Sequence, residues 1–412
     1  MTDAMTDATS ACPGPRAPST PPVLTRGLVL LLATACGMIA ANLYYAQPLV
    51  APIAAEFAIS PALAGLIVTM CQLGYGLGLL FLVPVADLVE NRRLILSILA
   101  LGTVALVGAA LAGSAASFLT AALLIGLGSV SVQVIVPYAA ALAPEEMRGQ
   151  VVGSVLSGLM TGIMLARPVS SFLADAFGWR AVFWVSAVAL VALAAVIRAR
   201  MPARVPPAGM GYAGLLASMR RLALGEPVLQ RRTLCHALLF AAFSLFWTVV
   251  PLHLAQDFGL SQSGIALFAL AGAAGAVAAP IGGRLADRGH GTAAVIAACL
   301  LGIGCFVAGF AAEGPSGAWI AVLVLAGIAL DFGVALNLVV SQRALFALGA
   351  EMRGRLNGLF MAGFFAGGAA GSAVGGWAWA VGGWPLASAI GAALPAAALA
   401  AFLAFRAAGA RD

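Results

Sequence analysis

Glu146-Met147-Arg148-Gly149 is followed by glycines at 153, 158 and 162 and closed by Gly178-Trp179. The same pattern returns without a gap 205 residues later: Glu351-Met352-Arg353-Gly354, Gly358, Gly363, Gly367, then Gly383-Trp384. Charge, glycines and tryptophan stay in register over 34 positions, so the chain is two copies of one design. At one costly position the copies disagree. Arg167 interrupts an apolar run in the first, and its counterpart in the second is Ser372.

Around this repeat the composition is that of a membrane protein. The 412 residues are 62% hydrophobic and 9% charged, against roughly 25% charged in soluble domains. Apolar runs recur at about 20 residues, the length of a helix that crosses a bilayer. The ~10-residue alternation of a membrane β-barrel is absent. All 21 basic residues are arginine. A Walker A phosphate loop needs a lysine, so ATP-driven pumping of that kind is excluded. The net charge of +6 follows membrane topology and does not indicate nucleic acid. Cysteines 12, 36, 71, 235, 299 and 305 show no metal-ligand spacing, so neither a disulfide nor a metal site is expected. No cofactor motif and no enzyme constellation occurs.

Residues 1–25 read as a disordered tail rather than a cleaved signal, because the apolar run after them is too long for a signal core. Twelve spans follow, near 27–50, 62–85, 93–113, 117–142, 149–173, 180–200, 233–256, 264–284, 291–312, 317–343, 354–378 and 385–406. With both termini inside, all arginines except Arg167 and Arg180 fall in the tails, at inner span ends or in inner loops, as the positive-inside rule requires. The fold class is an all-α membrane protein: twelve transmembrane helices in two pseudo-symmetric six-helix bundles, 26–200 and 233–406. A cytoplasmic linker, 201–232, joins them, and a short cytoplasmic tail, 407–412, closes the chain. Within the linker, Tyr212 to Leu224 reads as an amphipathic helix suited to the inner leaflet, with Arg220 and Arg221 on its polar side.

The loop after span 2 reads Val83-Pro84-Val85-Ala86-Asp87-Leu88-Val89-Glu90-Asn91-Arg92-Arg93, and the loop after span 8 reads Gly283-Arg284-Leu285-Ala286-Asp287-Arg288. Both are similar to the signature Gly-x-Leu-Ala-Asp-Arg-x-Gly-Arg-Arg of the major facilitator superfamily, and the layout of two six-span halves resembles that family over residues 26–406. Asn42-Leu43-Tyr44-Tyr45-Ala46-Gln47-Pro48-Leu49 resembles a bacterial branch near the drug:proton antiporters. Span 4 lacks that branch's arginine. On span 5, Ala166-Arg167-Pro168 stands where the antiporters have Gly-Pro.

The resemblance implies a secondary transporter that works by alternating access, and that the loop aspartates hold the two halves together on the inner side. In that reading Asp87 faces the start of span 11 and Asp287 the start of span 5. Arg92, Arg148, Gly283, Arg288 and Arg353 complete this conformational latch. A helix N-terminus attracts such a carboxylate by ~0.3–1 kcal/mol; a simple loop cap is the plainer alternative. Glycines every four residues, 363, 367, 371 and 375 on span 11, and the pairs 149/153 and 158/162 on span 5, predict close helix contacts.

Two charges lie well inside the spans, Arg167 on span 5 and Asp331 on span 10. A charge at that depth costs at least ~2.5–3.5 kcal/mol unless paired or hydrated. Counted from the outer ends they differ by roughly 8–10 Å in height, which a long arginine could bridge. The sharp reading is that Asp331 takes up a driving proton or a cationic substrate, with Arg167 tuning it. The alternatives are a purely substrate-binding Asp331 and an Arg167 that snorkels to headgroups. The resemblance implies a cavity lined by spans 1, 4, 7 and 10. These carry Asn42, Tyr45, Gln47, Gln133, Tyr138, Trp247 and Asn337 as candidate binding residues, with His236 and Phe243 nearby. Aromatics and amides with one acid suit an amphiphilic or weakly cationic small molecule. The expected protein is a monomeric inner-membrane antiporter that expels a small molecule in exchange for protons. An uptake or exchange carrier, a facilitator and a transporter-derived sensor are the alternatives.

Overall fold

The computed structural model describes residues 25–206, 209–270, 281–282, 284–285, 288–310 and 316–407. Both terminal tails, Gly283, Asp287 and residues 271–280 lie outside the described residues. The architecture is two six-helix bundles. Spans 1–6 are α1 (Arg26–Ala41) continued by α2 (Val50–Glu56); α3 (Leu66–Phe81); α4 (Asn91–Ala110); α5 (Ala115–Ser129) with α6 (Val132–Leu142); α7 (Arg148–Phe177); and α8 (Trp179–Arg200). After the linker helix α9 (Tyr212–Gly225) come span 7, α10 (Pro227–Gln256); span 8, opened by α11 (Gln262–Ala269); span 9, α12 (Gly291–Gly309); span 10, α13 (Gly317–Phe346); and spans 11 and 12, both within α14 (Arg353–Ala407). Among the described residues nine stretches are long and apolar enough to cross a membrane, and the stretch Arg353–Phe405 supplies two spans.

The Gly-Trp pair that closes each copy of the repeat is a hairpin corner. Gly178 (φ 81, ψ 157) and Gly383 (φ 58, ψ −154) take backbone angles that a Cβ disfavours. The tryptophan after each then pins the corner. Trp179 Nε1 donates to Glu56 at 2.7 Å, and Trp384 Nε1 donates to the Gly309 carbonyl at 2.7 Å. Arg180 also bonds Glu56 and the carbonyls of Ala110 and Ala112, so span 6 is tied to the ends of spans 1 and 3.

Six of the eight glycines of the ladder make the close contacts expected of them, Gly363 and Gly375 on side chains of span 7 and the other four on backbone. Gly158 and Gly162 lie on the backbone of Ala33 and Gly37 in span 1. Gly367 and Gly371 lie in the same way on Ala237 and Ala241 in span 7. The equivalent helix pair of each bundle therefore crosses at equivalent positions: Gly158 and Gly162 correspond to Gly363, which lies on Thr233, and Gly367. Gly149, Gly153 and Gly354 meet nothing within 4 Å; they sit near the helix starts, before the helices converge.

The bundles are stitched along spans 2 and 11. Thr69 Oγ1 donates to the Ala369 carbonyl and Ser372 Oγ to the Gly65 carbonyl, both at 3.0 Å. Gln72 Nε2 donates to Ser244 Oγ at 2.5 Å. The linker helix buries Leu215, Ser218 and Met219 and exposes Arg220 and Arg221. It packs beneath both bundles: Tyr212 donates to the Phe81 carbonyl at the end of α3, and Ser218 meets Arg355 at the start of span 11.

Candidate functional site

Span 1 does not run straight. After Ala41 the helix loosens into a turn over 42–46 and a short 3-10 segment, Gln47–Leu49. Pro48 has no N–H to continue the ladder, and the Asn42 side chain takes up the Met38 and Ile39 carbonyls. The loosened segment turns Tyr44 and Gln47 toward span 5. There Arg167 Nε donates to Gln47 Oε1 at 2.7 Å.

The guanidinium of Arg167 is buried, 3% exposed, in a box of ring faces. Its Cζ lies 4.1 Å from the Trp247 ring centroid, 5.2 Å from that of Phe243 and 5.3 Å from that of Tyr44. Such ring faces attract a cation by roughly 0.5 to 2 kcal/mol, more when water is excluded. Trp247 in turn donates its indole N–H to Asp331 Oδ1 at 2.8 Å. Among the described residues Arg167 and Asp331 make no direct ion pair within 4.0 Å. The two buried charges face each other through an indole, one on its π face and one on its N–H edge. Arg167, Gln47 and Tyr44 belong to the first bundle; Phe243, Trp247 and Asp331 belong to the second.

Four of the sequence-predicted residues thus come together: Gln47, Arg167, Trp247 and Asp331. The others go elsewhere. Asn42 Oδ1 accepts from Ser186 Oγ at 2.5 Å, which pins span 1 to span 6 inside the first bundle, and Tyr45 is partly buried against the core. Gln133 donates to Tyr75 Oη at 3.0 Å, and the Tyr75 ring packs 4.4 Å from Phe365 of the second bundle. Tyr138 donates to the Pro202 carbonyl at 2.7 Å, at the linker end. Asn337 donates to His236 Nδ1 at 2.8 Å. That imidazole stacks on Phe364 at 4.8 Å, and its Nε2 has no partner among the described residues.

Tyr44 is the functional candidate that sequence reasoning missed in favour of Tyr45. Helical periodicity carried through 42–46 points to the wrong neighbour, and Pro48 is the signal that it breaks there. Ser372, the symmetry partner of Arg167, bonds Thr248 Oγ1 at 2.9 Å as well as the Gly65 carbonyl. The second copy therefore uses this position to join spans 11, 7 and 2 without a charge.

The residues of the expected latch divide. Arg148 Nε caps the Ala140 carbonyl, and Arg353 Nε caps the Phe346 carbonyl, each at 3.1 Å. These repeated arginines fasten the preceding span within their own bundle. Arg92 bonds the Met201 carbonyl at 3.1 Å, at the start of the linker where span 6 ends. Asp87 makes no ion pair among the described residues; burial pushes its carboxyl above the usual range, and Arg355, at the start of span 11, and Arg204 act on it at longer range. Arg288 is exposed, and Gly283 and Asp287 lie outside the described residues.

Two bundles related by pseudo-symmetry, with a charged site between them, are the arrangement on which alternating-access transporters are built. The sequence pattern of the Major Facilitator Superfamily matches residues 30–228 and 232–411, and the chain belongs to that family. It is 38% identical over 374 residues to the uncharacterized transporter YgaY of Escherichia coli O157:H7, a match covering 88% of this chain and 91% of that protein. It is 32% identical over 218 residues to a chloramphenicol resistance protein of Streptomyces lividans, covering 52% of this chain and 50% of that one. Among solved structures, a D-xylose–proton symporter shares the fold with a TM-score of 0.72 at 17% identity, covering 91% of this chain and 96% of the other.

Proposed function

We propose that this protein is a proton-coupled transporter that exports a small molecule by alternating access. One observation carries this reading: the Arg167–Trp247–Asp331 relay runs from one bundle to the other. Any rocking of the bundles changes the distance between the guanidinium and the indole. It thereby changes the field at Asp331 and its affinity for a proton. A proton bound in one state and released in the other is what coupling requires. Export is supported by the likeness to a protein named for chloramphenicol resistance, since outward movement is how a chain of this fold would confer resistance.

In this reading residues 26–200 and 233–406 are the moving bodies, joined by 201–232. The protein sits in a cell inner membrane with both termini in the cytoplasm, which the arginine-rich linker end supports. It works as a monomer, since a single chain supplies both walls of the site. Asp87 with Arg355 forms the latch between the bundles.

The test is flux from proteoliposomes loaded with a candidate drug, with and without an imposed pH gradient. Outward flux that accelerates when protons are driven inward supports proton antiport. Flux indifferent to the gradient in either direction contradicts coupling and leaves a facilitator.

A further inference from the structure

Hydrogen-bond accounting at the relay points to the charge of the substrate. Gln47 has spent its acceptor oxygen on Arg167 Nε, and Asp331 has spent Oδ1 on the Trp247 indole. Two groups are left over, Arg167 Nη2 and Gln47 Nε2, both buried and without any partner among the described residues. Arg167 is 3% exposed and Gln47 1%. Both leftover groups are donors, and one carries a full charge. The ring faces of Tyr44, Phe243 and Trp247 stabilise the cation electrostatically, but a ring face is no substitute for a lone pair. Buried donors normally find an acceptor, and these two stand on adjacent side chains already joined to each other.

We propose that the substrate carries a carboxylate, or a similarly compact planar oxyanion, which accepts hydrogen bonds from Arg167 Nη2 and Gln47 Nε2. Its apolar body lies against Tyr44 and Phe243. This rests on the reading of the relay as the transport site, and it replaces the weakly cationic substrate suggested by composition. An amine at this end of the relay would meet a guanidinium and two donors; the free acceptor, Asp331 Oδ2, lies on the far side of the Trp247 indole. A neutral amide could accept, but without the gain that charge assistance gives a carboxylate on arginine.

The test is equilibrium binding to the purified full-length protein in nanodiscs, with no gradient and no flux. Three probes share one ring system: 2-naphthoate, 2-naphthamide and 2-naphthylmethylamine. The expected result is saturable 2-naphthoate binding, at least about tenfold tighter than either other probe, which corresponds to ~1.4 kcal/mol. Arg167→Gln should abolish that preference. Arg167→Lys should keep the preference for the anion with weaker affinity, since a lysine retains the charge and loses the fork. Should Arg167→Gln fail to fold, the wild-type preference and Arg167→Lys still decide. Equal or tighter binding of the amine, no binding of the carboxylate, or unchanged preference in a folded Arg167→Gln overturns the proposal. Selective binding together with gradient-independent flux would keep the substrate class and remove the proton coupling; the converse would do the opposite.

Discussion

Arg167 and Asp331, the two charges buried in the spans, meet across Trp247 instead of touching. The guanidinium rests 4.1 Å from the centroid of the ring, and the carboxylate accepts from its N–H at 2.8 Å. A direct buried ion pair would hold the two bundles together strongly and resist opening. An indole between the charges leaves them coupled but separable, because a cation can leave a π face without abandoning a directed hydrogen bond. Trp247→Phe tests this division of labour. It keeps a ring face for Arg167 and deletes the N–H that satisfies Asp331. A hydrogen bond to a charged group is worth about 1.5–3 kcal/mol. The expected outcome is therefore a large loss of gradient-driven transport with substrate affinity changed less than about threefold. Trp247→Leu should lose both. Equal behaviour of the two variants in flux and binding assays would argue against the relay.

The glycine ladder makes a paired prediction about stability. A Cβ at Gly371 would clash with the Ala241 carbonyl, whereas at Gly149 it would meet nothing within 4 Å. Gly371→Ala must push spans 7 and 11 apart, at a cost typical of overpacking, ~1–3 kcal/mol. Gly149→Ala should be neutral or gain up to about 1 kcal/mol from helix propensity. Thermal unfolding of the two variants in one detergent checks the ordering.

At the corner between spans 5 and 6, hydrogen bonds from Arg180 and Trp179 hold the Glu56 carboxyl below its ordinary range. The group binds its proton less readily when folded than when unfolded. Its contribution to stability is therefore complete above the unfolded value, about pH 4.3, and is lost as pH falls through the lower folded value. The melting-temperature difference between wild type and Glu56→Gln should be constant from about pH 8 to 6 and shrink below about pH 4. Because the carboxylate is exposed, salt should reduce it as well.

Asp87 and Arg355 offer a test of the latch, since Arg355 lies across the bundle boundary and is the first cation acting on that carboxylate. Asp87→Asn and Arg355→Gln should each shift spin-label distances between the inner loops toward an open state. The double variant should match the singles instead of adding to them. Additive shifts would mean that the two residues act separately.

Much of this molecule was legible in its sequence, for identifiable reasons. The bundle count and symmetry follow from span length and from the echo of Glu146–Trp179 in Glu351–Trp384, because helix crossings and Gly-Trp corners need the same small residues in both copies. Arg167 and Asp331 stood out because charges inside apolar runs are expensive. Their bridging by Trp247 was not legible, since it depends on how three helices from two bundles are rotated. Tyr44 was lost to Tyr45 because the turn before Pro48 resets the helical phase. Arg148 and Arg353 read as partners of the loop aspartates, but their side chains fold back onto Ala140 and Phe346. Periodicity places a residue on a face; it does not choose among the carbonyls and carboxylates within reach of a long side chain.

The central claim is that Asp331 carries the coupled proton, and it is tested most directly by comparing wild type with Asp331→Asn in proteoliposomes under two regimes. One is substrate exchange at equal pH on both sides; the other is net transport driven by a pH gradient. An asparagine cannot release a proton but still accepts from Trp247. The account predicts that Asp331→Asn retains exchange and loses the gradient-driven component entirely. Gradient-driven transport that survives in Asp331→Asn would contradict it.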